Sequence, residues 1–438
     1  MWRVLFLAAV LAQAQDTLPL SLKRAVEIAL APEGSPRVAL AEESIRQSQT
    51  GVAQARAAFL PDLEATVSDQ NETVNLKTFG LNFQTLLPPG LNFPSLVGPF
   101  SVFDARATVQ QSVFDFSSIR KYQSSKATVE AVKADSESTR NQVSDAVARA
   151  YLACLRADAK LETEKANVDL SDALLKQAGR QKTAGTGLAI EITRAQVQLA
   201  NDKQNMIVAE NDRRKAVLQL LRAMGLNLDA QIQFTDKLLY KKVEVGPIEA
   251  ALDKAHKERA ELKAQAKREE IARLNYGSVK AERLPSVSAF GNYGSTGTAI
   301  DSASPTRTYG IQMKVPVFDG GRREARRAES LSEFRQEQIR SRDVKQQVDL
   351  DVRLALDSIH SAATQVETAQ EGLGLAENEL AQARRRYEGG VANSIEVTDA
   401  QTRLDRARDN QIAALYNYNL ARLDLATATG SISEYLNQ

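Results

Sequence analysis

Apolar residues recur every three or four positions over two very long stretches of this chain, and every second position over four short ones. Across 117–182 there is no proline and no glycine before Gly179, and Val143, Val147, Ala150, Leu152 and Leu155 mark one face. That spacing predicts an amphipathic helix, and ~65 residues at 1.5 Å each would make it roughly 100 Å long. A second such helix is expected over about 322–387, with Gly372 and Gly374 as its weak points. Each meets a short break, AGTG at 184–187 or GGVAN at 389–393, beyond which an Ala/Gln/Leu-rich helix returns. Short breaks between long helices make antiparallel neighbours, so two coiled-coil hairpins follow. Two further helices are predicted over about 21–59 and 247–283, each closed by a Leu-Pro step that disfavours helix before the proline.

Beyond those prolines the period changes to two. Leu63, Ala65 and Val67 alternate with Glu64, Thr66 and Ser68, and Ala107, Val109 and Val113 with Arg106, Thr108, Gln110 and Ser112. Val287, Ala289, Gly291 and Tyr293 alternate with Ser286, Ser288 and Asn292, and Tyr309, Ile311, Met313, Val315 and Val317 face away from Gln312 and Lys314. These are four strands of about ten residues with one apolar and one polar face, a pattern shared by membrane barrels and soluble half-buried sheets. Four strands cannot close a membrane barrel, since the smallest use eight. Either the sheet is open and soluble, or several chains share one barrel. The loops at 79–100 and 295–306 join the strands, and Leu86, Leu87, Phe93, Leu96, Val97 and Phe100 are expected in the longer loop.

The chain is also duplicated. Residues 142–225 repeat as 347–430 at a constant offset of 205: Gly185 falls on Gly390, Ile190 on Ile395, Glu191 on Glu396, Thr193 on Thr398 and Gly225 on Gly430. A period this long indicates a doubled supersecondary unit rather than a short-repeat solenoid. The expected layout is a signal peptide at 1–14, first-repeat helices at 15–60 and 117–225, a first β-hairpin with an extracellular loop at 61–116, and an equatorial linker at 226–247. Second-repeat helices at 248–283 and 319–430, a second β-hairpin at 284–318 and a tail at 431–438 complete it. The signal peptide rests on Arg3, the apolar run 4–12 and the A-x-A pattern of Ala12 and Ala14. No later segment approaches an 18-residue apolar run, so membrane entry would have to be as a barrel.

Composition narrows the chemistry. The 56 Lys and Arg against 55 Asp and Glu give a net charge of +1 and no nucleic-acid footprint. The single cysteine, Cys154, excludes an intramolecular disulfide and reads as a small core residue. His256 and His360 each stand alone on a helical face, so no His/Cys metal cluster is expected, and with no G-x-S-x-G or P-loop motif no cofactor and no enzyme are expected.

The helix returns AGTGLAIEITRAQVQLANDKQ and YEGGVANSIEVTDAQTRLDRA, the corner VPVFDGGRREA with its partner QSVFDFSSIRK, and the closing YNYNLARLDLATATG together resemble the TolC family of outer-membrane efflux proteins, the outer membrane factors. The resemblance covers the mature chain. It implies a mainly helical chain with a membrane β part, trimerising into a 12-stranded β-barrel and a helical tunnel. It implies a passive exit duct across the outer membrane and periplasm for tripartite efflux or type I secretion, among outer-membrane lipid, docked to a periplasmic adaptor and an inner-membrane pump of RND, ABC or MFS type. The returns would be periplasmic tips, with Gly185, Gly187, Gly389 and Gly390 turning the chain where adaptors dock. Glu396, Asp399, Tyr387, Arg194 and Glu191 would form the gate, Glu396 and Asp399 sharing a helix face. Arg194 stands where the second copy has Asp399, and a pairing of Arg194 with Glu396 or Asp399 is expected. The reading from another class is a soluble periplasmic coiled-coil scaffold or chaperone.

Overall fold

The four-stranded sheet is ordered by the two β-hairpins. In a computed structural model describing residues 18–79, 95–185, 187–243 and 246–437, strands β2 (Asp62–Asn75), β3 (Leu96–Phe114), β5 (Ser286–Gly297) and β6 (Ser304–Lys314) pair antiparallel in that order, leaving β2 and β6 as edges. The register gathers the alternating residues into rows. Leu63, Val109, Gly291 and Tyr309 form one row, and Gln111, Ala289 and Ile311 another on the same face. Glu64, Thr108, Asn292 and Thr308, then Thr66, Arg106, Gly294 and Thr306, fill the opposite face. The apolar face is uncovered: Tyr309 is 82% and Ile311 77% exposed. On the polar face Arg106 is hydrogen-bonded to Asp104, with Nε 2.7 Å from Oδ1.

The strands run longer than the expected ten residues, up to 19 in β3. Leu96, Val97 and Phe100 therefore belong to a strand rather than to a loop, because they pair with Asn75, Val74 and Glu72. Leu86, Leu87 and Phe93 lie outside the described residues, as does the signal segment. β6 stops at Lys314, so Val315 and Val317 lie beyond the ladder.

The long helices are α3 (Phe116–Thr183) and α7 (Arg322–Glu388), followed by the returning α4 (Ala189–Met224) and α8 (Ser394–Ala428). α7 runs unbroken through Gly372 and Gly374, since isolated glycines cost a helix only about 1 kcal/mol each. The two shorter predicted helices are each split. The first becomes α1 (Leu22–Leu30) and α2 (Pro36–Ala57), interrupted at the PEGSP segment where Pro32 and Pro36 disfavour helix before them. The second becomes α5 (Ile248–Glu258) and α6 (Ala260–Ala281), with Arg259 extended at φ −60° and ψ 118°. The tail carries one short helix, α9 (Ile432–Tyr435).

By contact the chain divides into two units: residues 46–131 with 266–340, which hold the sheet, and residues 1–45, 132–265 and 341–438. The second unit contains a small parallel pair with no counterpart in the sequence pattern, β1 (Leu18–Leu20) against β4 (Ile232–Phe234). Three-residue strands are too short to show alternation. They are fixed by Tyr151 of α3, fully buried, whose hydroxyl lies 2.9 Å from the Leu20 carbonyl and 2.8 Å from Asp236 Oδ2. Its ring meets Phe234 edge-on at 5.4 Å. Burial, then Asp236, pushes the phenol pKa upward, so the hydroxyl remains a donor. Cys154 sits one turn on in the same core, its thiol pushed up to about 12 by burial.

Tyr151→Phe should cost about 1 kcal/mol by removing that hydroxyl, and Tyr151→Ala about 3–5 kcal/mol by emptying the core as well. Thermal melts of the two variants check this; equal losses would show that the ring contributes no packing.

Candidate functional site

The two helix returns are built alike and finished differently. In the first, Ala184 N–H bonds the Arg180 carbonyl at 2.9 Å and Gly187 N–H the Gln181 carbonyl at 3.0 Å. In the second, Gly389 N–H bonds Arg385 at 3.0 Å and Val391 N–H bonds Arg386 at 2.9 Å. Gly185 and Gly390 occupy matched left-handed positions, φ 75° and 70°, where a side chain would be strained. Gly187 is held by space instead, since a Cβ there would lie 3.0 Å from Gln181 Cβ. Gly389 has neither requirement: its φ is not positive and a Cβ would meet only ordinary contacts from 3.4 Å outward. Three of the four expected turn glycines are thus needed by the backbone.

The helices that leave these returns are capped by different residues at equivalent positions. Leu188, at the N-cap of α4, has no oxygen to offer, so Glu191 reaches back and accepts from the Leu188 N–H at 3.3 Å. In the second copy Asn393 stands in place of Leu188, and its Oδ1 accepts from Ile395 and Glu396 N–H at 3.1 and 3.2 Å. That frees the Glu396 carboxylate to pair with Arg386 Nε at 3.0 Å across the return. Arg386 supplies the base for Glu396 within the chain, and the expected Arg194 pairing is not formed. Arg194 and Asp399 are exposed and have no ion-pair partner among the described residues.

The five expected gate residues fall into two groups. Tyr387, buried against Val397, Ala400 and Leu404, lines a cavity of about 30 Å³ together with Glu191 and Arg194. Burial, then the Glu191 carboxylate, pushes the Tyr387 phenol pKa upward. Glu396 and Asp399 lie on the exposed face of α8 while Val397, Ala400, Gln401 and Leu404 turn inward. The arrangement offers carboxylates to solvent on one helix face and a packed tyrosine behind it. Such a surface can hold or repel ions. Among the described residues no group of three His, Cys, Asp or Glu side chains is arranged to hold a metal, and no described helix is long and apolar enough to cross a membrane.

Sequence reading missed a second group beside the returns. Ser171 and Glu164 of α3, Asp202 of α4, and Gln401 and Asp405 of α8 meet in the helix packing. The signal was present: Val397, Gln401 and Asp405 are successive i, i+4 positions, so two polar residues continue a stripe that begins apolar.

Residues 28–226 and 251–431 match the family described as outer membrane efflux protein, two stretches that fall one on each repeat. The chain is 24% identical over 298 residues to the outer membrane protein TolC of Vibrio cholerae, covering 66% of this chain and 67% of that one. It is 24% identical over 459 residues to the alkaline protease secretion protein AprF of Pseudomonas aeruginosa, covering 98% and 88%. The matches to two TolC proteins span about two thirds of their length, 67% and 61%. The crystal structure of the Campylobacter jejuni CmeC outer membrane channel superimposes with a TM-score of 0.81 over 94% of this chain and 86% of that one, at 16% identity. With the family match lying on both copies of the repeat, the chain belongs to the outer membrane efflux protein family.

Proposed function

We propose that this chain is an outer-membrane exit duct for efflux or type I secretion, a passive channel rather than an enzyme. The observation that carries the reading is the sheet. It has an uncovered apolar face, an opposite polar face and two unpaired edges, β2 and β6. In hydrocarbon every backbone N–H and C=O must find a partner within protein, so the edges must meet other copies. Two copies reach the eight-strand minimum; the trimer implied by the family closes twelve strands. Along β3 the outward positions run from Phe103 to Val113, apolar except at Gln111, which at ~3.3 Å per residue and ~40° tilt spans about 25 Å, the height of an outer-membrane apolar band. A soluble scaffold has no use for this exposed face.

The returns act as periplasmic tips that rest closed. Their polar links are surface pairs, Arg386 with Glu396 and Arg403 with Glu379, half or more exposed on the arginine side. Pairs of that kind are worth about 0.2–1 kcal/mol each, so a docking adaptor could exchange them at small cost. Energy and selection of cargo come from the adaptor and an inner-membrane pump. The exposed Glu396 and Asp399 of each copy form rings of carboxylates that favour cations at the entrance.

In planar bilayers the full-length protein should give a small, cation-selective conductance. Glu396→Gln should raise it by releasing Arg386, and adding Asp399→Asn should lower cation selectivity. An Arg386→Glu/Glu396→Arg exchange should return conductance toward the wild-type level. A protein that extracts without detergent and conducts nothing would overturn the duct.

The faces of the sheet give a second test. Ile311→Arg places charge on the lipid-facing row and should cost about 2–4 kcal/mol of barrel stability, whereas Gln312→Arg, facing the lumen, should be tolerated. Heat-modifiability on gels compares the two; equal sensitivity would place lipid on neither face.

A further inference from the structure

Most of the polar group between α3, α4 and α8 is dry: Ser171 and Gln401 are 1% exposed, Asp202 2% and Glu164 3%, while Asp405 is half-buried with its Oδ1 turned inward. Most of its hydrogen bonds are made. The Ser171 hydroxyl donates to Asp202 Oδ2, Gln198 Nε2 donates to Asp202 Oδ1 at 3.0 Å, and Gln401 Nε2 reaches Ser171 Oγ at 2.9 Å and Asp202 Oδ2 at 3.4 Å. Lys160 Nζ holds Glu164 Oε1 at 2.5 Å and also bonds Asp409, while Asn167 Nδ2 donates to Glu164 Oε2 at 3.4 Å and Arg408 donates to Asn167 at 3.0 Å.

Two buried oxygens are left over: Gln401 Oε1 and Asp405 Oδ1, neither with a hydrogen-bond partner. They lie on residues four apart in α8, on one face of the helix. Both are acceptors when Asp405 is ionised, and a buried acceptor without a donor is costly. A proton on Asp405 converts its carboxyl into a donor and relieves the mismatch. The charges facing Asp405 favour the same outcome: Glu164 from α3, Asp202 from α4 and Asp409 from its own helix are like charges, opposed by Arg408.

We propose that Asp405 and Gln401 form a buried proton-binding site that joins α8 to the α3–α4 hairpin, so that mild acid tightens the closed helical wall and neutral pH loosens it. The functional half of this proposal rests on the exit-duct reading. Burial first, then Asp202 and Glu164, pushes the Asp405 carboxyl up to about 6, and burial also raises Asp202. A carboxyl raised on folding contributes its stabilisation fully below its unfolded value and loses it as pH rises through the folded one. The stabilisation is therefore lost between the ordinary carboxylate value and about 6, and the proton itself leaves the folded protein with a midpoint near 6. Protonation in this range would reach a site in the packed wall, away from the exposed face that carries Glu396 and Asp399.

The test is infrared difference spectroscopy on the full-length protein in detergent between about pH 7 and about pH 5, with amide exchange along α8 followed in parallel. A protonated-carboxyl band should rise with a midpoint near 6 in the wild type and vanish in Asp405→Asn, whose amide supplies a permanent donor. Exchange in α8, corrected for intrinsic rates, should slow toward pH 5 in the wild type and lose that pH dependence in the variant. Asp202→Asn should keep the band and lower its midpoint by about one pH unit, because a like charge is gone. A band that survives Asp405→Asn, or a midpoint at the ordinary carboxylate value, overturns the site. So does α8 exchange that responds to sodium or calcium at fixed pH without the band, which would assign the two oxygens to a cation. Conductance separates the two readings: titration without conduction keeps the proton site and removes the duct, and conduction without the band does the reverse.

Discussion

Unsatisfied backbone along β2 and β6 is the constraint on which the rest depends. In water an edge strand is tolerable, but in a bilayer each unpaired N–H or C=O costs several kcal/mol. A sheet of four strands with both edges open is therefore half of a statement, completed by neighbouring copies. Once closure is imposed, alternation decides what each face meets. Because the side-chain period is two, a slip of one residue would send Leu63, Val109 and Tyr309 inward and Glu64, Thr108 and Thr308 outward together. The register is thus held by the whole face rather than by any one pair, and the irregularities between Glu72 and Val74 and between Ser112 and Phe114 are confined to places where strands bend.

Duplication explains why the returns share a backbone, and small substitutions explain why they differ in chemistry. The left-handed glycines at 185 and 390 are equivalent. A single change at the cap, leucine in one copy and asparagine in the other, redirects the equivalent glutamates: Glu191 serves its own helix and Glu396 serves Arg386. The second copy therefore makes an interaction across the return with the same acid that caps the helix in the first. The same logic makes Arg194 and Asp399 opposite charges at matched positions, so three-fold closure would place both signs around one entrance.

Much of this is legible in the sequence. Period 3.6 located α3, α4, α7 and α8, period two located the sheet, and the offset of 205 predicted that the returns would correspond. The failures have specific causes. Leu96, Val97 and Phe100 resembled a loop because Gly98 and Pro99 interrupt their alternation, yet pairing with β2 extends the strand through them. β1 and β4 were invisible because three residues carry no period and their partner Tyr151 is more than a hundred residues from Leu20. The sequence offers Arg194 as the partner of the gate carboxylates because it cannot show that Asn393 takes the cap and leaves Glu396 within reach of Arg386. Gln401 and Asp405 are polar positions that continue the stripe begun by Val397, a departure that helical periodicity alone does not interpret.

That anomaly bears on how a duct can be both stable and openable. Apolar packing in the tip core, Tyr387 with Val397, Ala400 and Leu404, is non-directional and does not change with conditions near neutrality. Exposed ion pairs can be exchanged readily but contribute little to holding a wall shut. A buried polar joint has a property neither possesses: its strength depends on whether every donor and acceptor is matched, and one proton alters the count. With Gln401 Oε1 and Asp405 Oδ1 both unmatched in the ionised state, the joint between α8 and the α3–α4 hairpin sits below its attainable strength at neutral pH. An all-apolar stripe there would hold more firmly and yield less, and for the proposed duct, whose wall would have to part, the weaker joint is the more useful one.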